Sequence, residues 1–594
     1  MKLVVTPGSC PLPHGELAIV SAMREKTRWY RESFALVGLR KPTGTDDFFY
    51  LNEMRDWIMK KLVGLSFGLL AIAALAGCGT TQAKSSADKA LDVTMIGNPA
   101  TADPAISGDS NSSSMIAQTQ EGLYTLDQNG KVVAGVAEKM VKPTHNGTVY
   151  TFKIKKAAKW ANGDPVTAQD FVTSFQWQIN PQSKSQVANK LKFLKNYDAV
   201  QAGKKSVSAL GVKALDKSTL QLTLSKPQPW LPDILATSEY PMKTDLFKKY
   251  GSKYGTSSTK TMSEGAYKLV GWSGTTDSWS YVKNTHYWNA KNVKIGKVNV
   301  QVVKDPGTSA SLFKSGKVQE TSLTGQYIKQ NANNQEMKTT LNSSMRFLEF
   351  NDKKTVTHNT KVRQAFSYVV DRTALTKNVL QDGSAAAKSL IPYGDGNDPT
   401  TGKDFSEDVG NLLSYNPKKA TQLWNEAKKE LGIKKASLEL LTADTDEQKH
   451  AAQYLQQQAQ KYMPGLTLTI KSMPLAQQIA KGSAGNYDID LDGWNTGWRD
   501  PSDFLQMADE TSSVNFTKWN NAHFTNLMKQ IDDTATHTTQ QRWDLMKEAD
   551  KYVTQQAGLV PLYQQAKAHL VSSQVGGLKY TMMTDAQYKY AYWK

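Results

Sequence analysis

Three stretches of this chain hold residue types and spacings that could do chemistry. The first is Cys78. It follows Met59-Lys60-Lys61, an uncharged apolar run from Leu62 to Leu75, and Ala76-Gly77. That is a basic n-region, an apolar h-region and a small-residue cleavage site. A thiol directly after the cut is a nucleophile placed to accept a lipid. The run falls short of the ~20 residues that span a bilayer, so it predicts a cleaved signal rather than a transmembrane helix. The second stretch, Asp488-Ile489-Asp490-Leu491-Asp492-Gly493, has the spacing that opens an EF-hand calcium loop. Such a loop needs a bidentate Glu at its last position. Arg499, a cation, stands there, so no calcium is expected. The third, Gly64-Leu65-Ser66-Phe67-Gly68, has the G-x-S-x-G spacing of a hydrolase nucleophile, but it lies inside the apolar run and not on a strand-to-helix turn.

Nothing else has the spacing of a catalytic or metal-binding device. HExxH, CxxC and a phosphate-binding P-loop are absent, and His286 and His450 stand alone. The residues therefore predict no enzyme, no cofactor and no metal. Cys10 and Cys78 are the only cysteines, so a fold built after Cys78 has no disulfide. Its stability must come from a large core, to which 14 Trp, 24 Tyr and 17 Phe contribute. A formal charge of +18 suits an anionic membrane surface. The lysines are scattered singly, with no Arg-rich stripe, which argues against nucleic acid.

These residues need elements to hold them. Residues 1–58 show no sustained helix or strand period, and Met59 is read as the start of the true precursor. Gly79 to Ala90 is small and polar, a flexible tether. Beyond it, Leu91–Gly97, Thr148–Trp160, Ser218–Ser225, Ala266–Trp272 and Val293–Val303 alternate as strands. His145-Asn146-Gly147 reads as a turn. Thr167 is a helix cap with Asp170 three residues on, and Phe171, Phe175 and Ile179 form a helical stripe. Helices are predicted over Lys361–Leu380 and Lys418–Leu431. A strand over Ser437–Ala443, a helix over Glu447–Tyr462 and a strand over Leu466–Met473 follow. The alternation predicts an α/β fold for the C-terminal half, with an N-terminal half richer in strands.

Several ordered blocks resemble one family. Gly135–Phe175 holds Ala-Glu, Tyr-Thr-Phe and Lys-Trp followed by Gly-Asp-Pro and Thr-Ala-x-Asp-Phe. Ala202–Trp230, Ser263–Val298 with its Gly-Ala-Tyr-Lys-Leu and Tyr-Trp-x-Ala, and Phe350–Leu375 with its Val-Arg and Asp-Arg are similar in turn. Together they resemble the extracytoplasmic solute-binding proteins of peptide ABC importers, family 5, oligopeptide type, from about Leu91 to the C-terminus. Most of these positions read as scaffold. The resemblance implies a periplasmic-binding-protein-like α/β fold with two lobes joined by a hinge and an additional domain. Lobe I would be 91–125, 245–344 and 566–594, domain II would be 126–244, and lobe III would be 345–565. It also implies an oligopeptide ligand, membrane permease subunits as partners, a lipid anchor through Cys78 at the outer face of a Gram-positive cell membrane, and a monomer. A peptide-pheromone receptor of narrow range is the alternative.

Such receptors bind a peptide mainly through its backbone, as an added strand. The resemblance implies one wall at Asp103-Pro104 onward, with Gly108, Asp109 and Ser110. The other lies in Asp488–Met507, where Trp494 matches the family's Trp and Gly493 and Asn495 take backbone-bonding positions. Phe347 and Tyr563 join the ligand-contact set. The chain departs from the pattern where the family keeps the carboxylate that pairs with the peptide's α-amine: Gly497 stands there, with Trp498 for the Tyr. Leu491 replaces a basic residue upstream. A buried ammonium without a carboxylate costs several kcal/mol. Either Asp492, Asp500 or Asp109 takes the amine, or the ligand has no free N-terminus there, or its ends sit in water.

Overall fold

The computed structural model describes residues 89–583 and 585–594. Residues 1–58, the signal segment and Cys78 lie outside the described residues. The strands of the large sheet, numbered along the chain, are β1 (Leu91–Met95), β2 (Tyr267–Val270), β3 (Ser278–Lys283), β4 (Lys297–Val302), β5 (Glu320–Leu323), β6 (Met337–Phe350), β7 (Ala436–Ala443), β8 (Leu466–Met473), β9 (Ile489–Asn495) and β10 (Val560–Val571). Their order is β8-β7-β9-β6-β10-β5-β1-β4-β3-β2, with Ala385–Ala386 pairing to β10 off this path. β1 runs parallel to β4 and β5, and β7 parallel to β8 and β9.

The long strands β6 and β10 cross the whole molecule. Met337–Leu341 pairs with Leu570–Ala566. The register then breaks and resumes with Met345 opposite Gln564. On one side of the break lies a core of Leu91, Trp272, Tyr281 and Val298. On the other, alternation along β6 splits two cores between the sheet's faces. Leu348 and Phe350 pack with Phe366, Trp424 and Leu455. Met345 and Phe347 pack with Phe405, Phe504 and Trp543. A further core, of Phe152, Trp160, Phe171 and Leu222 among others, is drawn wholly from residues 123–236 and sits under a three-stranded sheet of Val149–Lys153, Thr219–Thr223 and Val212–Ala214.

Local chemistry explains most boundaries. His145, Asn146 and Gly147 all have positive φ in the turn before Val149–Lys153. The helix Ala168–Ile179 opens on the expected capping box, with Asp170 Oδ2 accepting the Thr167 N–H at 2.9 Å. Trp160 Nε1 and the Thr244 N–H also donate to Asp170, so the cap ties three segments together.

One expectation fails. Lys361–Leu380 is not a single helix. The helix Thr360–Val369 stops, Val370 and Asp371 are extended, and Asp371 caps the next turn by accepting the Ala374 N–H at 2.9 Å. Arg363 and Asp371 therefore do not share a helix face. Two buried arginines set the break. Arg363 donates to Ala557 O at 3.0 Å and Arg372 to Pro561 O at 2.7 Å. Each guanidinium satisfies carbonyls at one end of the β10 entry, and a continuous helix would present the two 13 Å or so apart along its axis.

Candidate functional site

The site is built on the end of β9. β9 pairs along its length with β6, Ile489 opposite Phe350 and Asn495 opposite Ser344. On its other side β7 pairs only with Ile489, Asp490 and Leu491. From Asp492 to Asn495 the outer edge of β9 has no partner strand, and these residues are half-buried or exposed. An unpaired edge offers a row of backbone N–H and C=O groups to an incoming strand. At Gly493 a side chain would have to displace Arg346. Arg346 lies across it, and a Cβ at 493 would fall 2.1 Å from Arg346 Nη1.

Past Asn495 the chain turns and meets residues 226–234. Thr496 N–H donates to Ser343 O at 2.9 Å. Trp498 stacks on Trp230, ring centroids 5.8 Å apart and 15° from parallel. Arg499 donates to Asp233 Oδ1 through Nε at 2.7 Å and Nη2 at 2.5 Å, and to Gly130 O at 3.1 Å. Lys226 pairs with Asp532 and Thr534 donates to Pro227 O. Two separately cored parts of the molecule thus meet beside the open edge, through one aromatic stack and a set of ion pairs.

The expected residues divide. Gly493, Trp494, Asn495, Gly497 and Trp498 come together along this edge and turn. Gly497 N–H donates to Asp503 Oδ2 at 2.7 Å and Thr496 Oγ1 to the same oxygen at 2.8 Å. A carboxylate thus stands beside Gly497 after all, supplied six residues later. Burial pushes Asp503 up to about 6. Asp109 caps the helix Ser110–Thr119 by accepting the Ser112 N–H at 2.8 Å. Gly108 and Ser110 are exposed beside it, and among the described residues no hydrogen bond joins these three to 492–500.

Three expected residues are buried and partnered within the fold. Asp500 is not free for an amine: Arg542 Nη1 reaches its Oδ2 at 2.6 Å and Nη2 its Oδ1 at 2.7 Å, while Ser502 donates twice to Oδ1. Phe347 is wholly enclosed in apolar core. Tyr563 is buried, its hydroxyl donating to Glu447 Oε1 at 2.8 Å.

Asp492 lies elsewhere in character. Its carboxylate, with those of Glu349 and Asp490, falls within a 4.8 Å group, on a strand rather than the loop an EF-hand needs. Burial, then Asp492 and Asp490, push Glu349 well up. Burial and Asp492 push Asp490 up to about 8, so the group holds protons at neutral pH.

Sequence reasoning did not mark Trp230, Asp233, Asp503 and Arg542 as neighbours of this edge. Trp230 and Arg499 were visible, but only as the end of a block and as the residue that spoils a calcium loop. Nothing in the sequence marks Asp233 or Arg542 as neighbours of residues hundreds of positions away.

Comparison with known proteins bears directly on this arrangement. Residues 131–516 match the family described as bacterial extracellular solute-binding proteins, family 5. The dipeptide-binding protein of Lactococcus lactis subsp. cremoris is 30% identical over 542 residues, covering 88% of this chain and 96% of its own. The oligopeptide-binding protein OppA of Bacillus subtilis is 26% identical, covering 91% and 100%. Among solved structures, Listeria monocytogenes OppA bound to peptide superposes with a TM-score of 0.73 at 33% identity, over 85% of this chain and 99% of that one. The pheromone receptor PrgZ has a TM-score of 0.73 at 31% identity, with the same coverage of both chains. Among the described residues no helix is long and apolar enough to cross a membrane. With its two-lobed α/β fold, the chain belongs to the bacterial extracellular solute-binding proteins of family 5.

Proposed function

We propose that this protein captures oligopeptides outside the cell and delivers them to an ABC-type importer. The open edge of β9 at Asp492–Asn495 carries the reading. It offers main-chain hydrogen bonds to an added strand, whose sequence matters little because the backbone supplies the affinity. The arrangement around it fits capture by closure. The register break between Leu341 and Met345 is the hinge, lobe III runs from 345 to 565, and the Trp230–Trp498 stack and Arg499–Asp233 pair form only when the parts meet. Relatives named for dipeptide and oligopeptide binding support a peptide ligand. The protein does no chemistry on it.

Mass spectrometry of what co-purifies with the chain after Cys78 tests the reading. Short peptides are expected; a sugar, haem or a metal chelate in their place refutes it. Peptides methylated at single backbone nitrogens test the strand mode. Binding is lost at alternate positions if the ligand pairs with β9, and loss at no position overturns that mode. The likeness to a pheromone receptor favours a second reading, a signalling role with a narrow range. A peptide pool separates the two, since an importer retains many sequences and a pheromone receptor few.

The segment around Cys78 supports a lipid anchor at the outer face of a Gram-positive membrane, from which the protein, as a monomer, would feed permease subunits. Cys78→Ala is expected to release the protein into the medium and abolish labelling by a fatty acid. Retention with label in the variant refutes the anchor.

A further inference from the structure

Asp490 and Asp492 stand two residues apart on β9 and so share one face of the sheet. The register sets Glu349 of β6 directly opposite Asp490. Like charges facing each other across a strand pair destabilise it, yet all three carboxylates meet here. One oxygen from each lies within 4.8 Å of the other two. Glu349 is wholly buried and Asp490 nearly so, whereas Asp492 is half-buried at the start of the open edge.

Little in the fold answers these oxygens. Among the described residues neither oxygen of Glu349 accepts a hydrogen bond. Gln478, wholly buried on the helix Leu475–Ser483, reaches into the group. Its Nε2 donates to Asp490 Oδ1 at 2.6 Å and to Leu491 O at 2.9 Å. Those two acceptors fix the carboxamide and leave its Oε1 without a donor as well. The cations within electrostatic reach are Arg346 and Lys518. Arg346 pairs with Glu447 at 3.6 Å, and Lys518 is exposed. Buried carboxylates and carbonyls without donors are costly, and all of these are hard oxygen donors of the kind that suit calcium. Their spacing is one that a single ion with Ca–O distances of about 2.3–2.6 Å bridges. No separate cavity is needed, because the ion sits between the oxygens, and half-buried Asp492 is the side from which it enters.

We propose that Glu349, Asp490 and Asp492 bind one calcium ion, with the Gln478 carboxamide completing the set. The ion ties β6 to β9 just where the edge opens. It is not an EF-hand: the ligands come from two paired strands and a helix, not from one twelve-residue loop, so Arg499 at the loop's last position has no bearing on it. Protons held by the group without the ion leave when it binds. The site stands beside the peptide reading and does not rest on it.

The test titrates calcium chloride into the chelator-treated, peptide-free chain after Cys78, by calorimetry and by thermal melting. One ion per chain is expected, with a dissociation constant in the ~10⁻⁴–10⁻³ M range of extracellular modules. At ten times that constant the melting temperature is expected to rise by roughly 3–6 °C. Glu349→Gln and Asp492→Asn are each expected to weaken binding at least ~10-fold, their melting curves showing that they fold. Terbium, an oxygen-seeking ion of calcium's size, locates the site without touching a ligand. Tyr487 is buried within reach of all three carboxylates, so tyrosine-sensitised emission is expected to fall in Tyr487→Phe and to be displaced by calcium. Wild type that binds no calcium, or binds it only at many weak sites, overturns the assignment. So does a folded Glu349→Gln or Asp492→Asn that binds as wild type does. If neither variant folds, terbium emission unchanged in Tyr487→Phe overturns it. Peptide retention is not read, so none of these failures touches the peptide reading.

Discussion

Asp500→Asn separates a fold residue from a ligand residue, and its cost follows from the geometry. The Arg542 guanidinium and the Asp500 carboxylate are 4% and 9% exposed and joined by two short bonds. Removing one charge of a buried pair costs about 3–5 kcal/mol. Asn keeps the shape and one acceptor, and Arg542 keeps Ile531 O at 3.0 Å and the face of Trp230 at 4.9 Å, which places the loss near the lower bound. For a unit the size of this lobe, about 3 kcal/mol lowers the melting temperature by roughly 6–12 °C. Thermal and urea unfolding of the ligand-free protein read it. The double variant Asp500→Asn, Arg542→Met is expected to recover most of the loss, because it leaves no unpaired buried charge. A single variant as stable as wild type that loses only its affinity for free-amine peptides would refute this reasoning and return Asp500 to the ligand.

Acidity is expected to stabilise the ligand-free protein between pH 8 and pH 5. Burial pushes Asp103 and Glu239 up to about 7 and Asp550 up to about 6, while in the unfolded chain they titrate near 4. The folded state therefore holds the extra protons in that window, and stability falls as pH rises through 6–7; a melting temperature that climbs steadily to pH 8 contradicts this. Gly493→Ala places a methyl group on Arg346 and is expected to cost about 1–3 kcal/mol, together with most peptide affinity; calorimetry showing normal affinity would mean the edge is not the docking line. Trp498→Ala removes the stack on Trp230, worth about 1 kcal/mol beyond area. Small-angle scattering is expected to show a more open ligand-free protein, and an unchanged radius of gyration argues that the stack does not set closure.

Much of the fold was legible because its signals are local. Leu466–Met473 alternates and is a strand over those residues. Thr167 and Asp170 announce a helix start by spacing alone. The break at Val370–Asp371 was not legible, since the apolar stripe runs on through it. What stops the helix is a pair of arginines reaching carbonyls almost two hundred residues away. The departure at Gly497 was legible as a missing carboxylate, but the carboxylate that stands beside it was not. Asp503 carries no mark in the sequence, because it meets Gly497 only through the turn between them.

The same contrast explains why the side-chain motifs of this chain lie away from its open edge or misstate its chemistry. A ligand held by backbone needs an open strand edge, and an edge has no side-chain signature. β9 is open from Asp492 because β7 stops pairing after Thr442, a fact about the length of a different strand. Side chains are needed only where the ligand carries a charge that water no longer screens. In this junction Asp233 and Asp500 already have their arginines, and Asp503 accepts from Gly497, Thr496 and Gln506. Selectivity for sequence is therefore expected to be weak along the edge, where the backbone supplies the contacts.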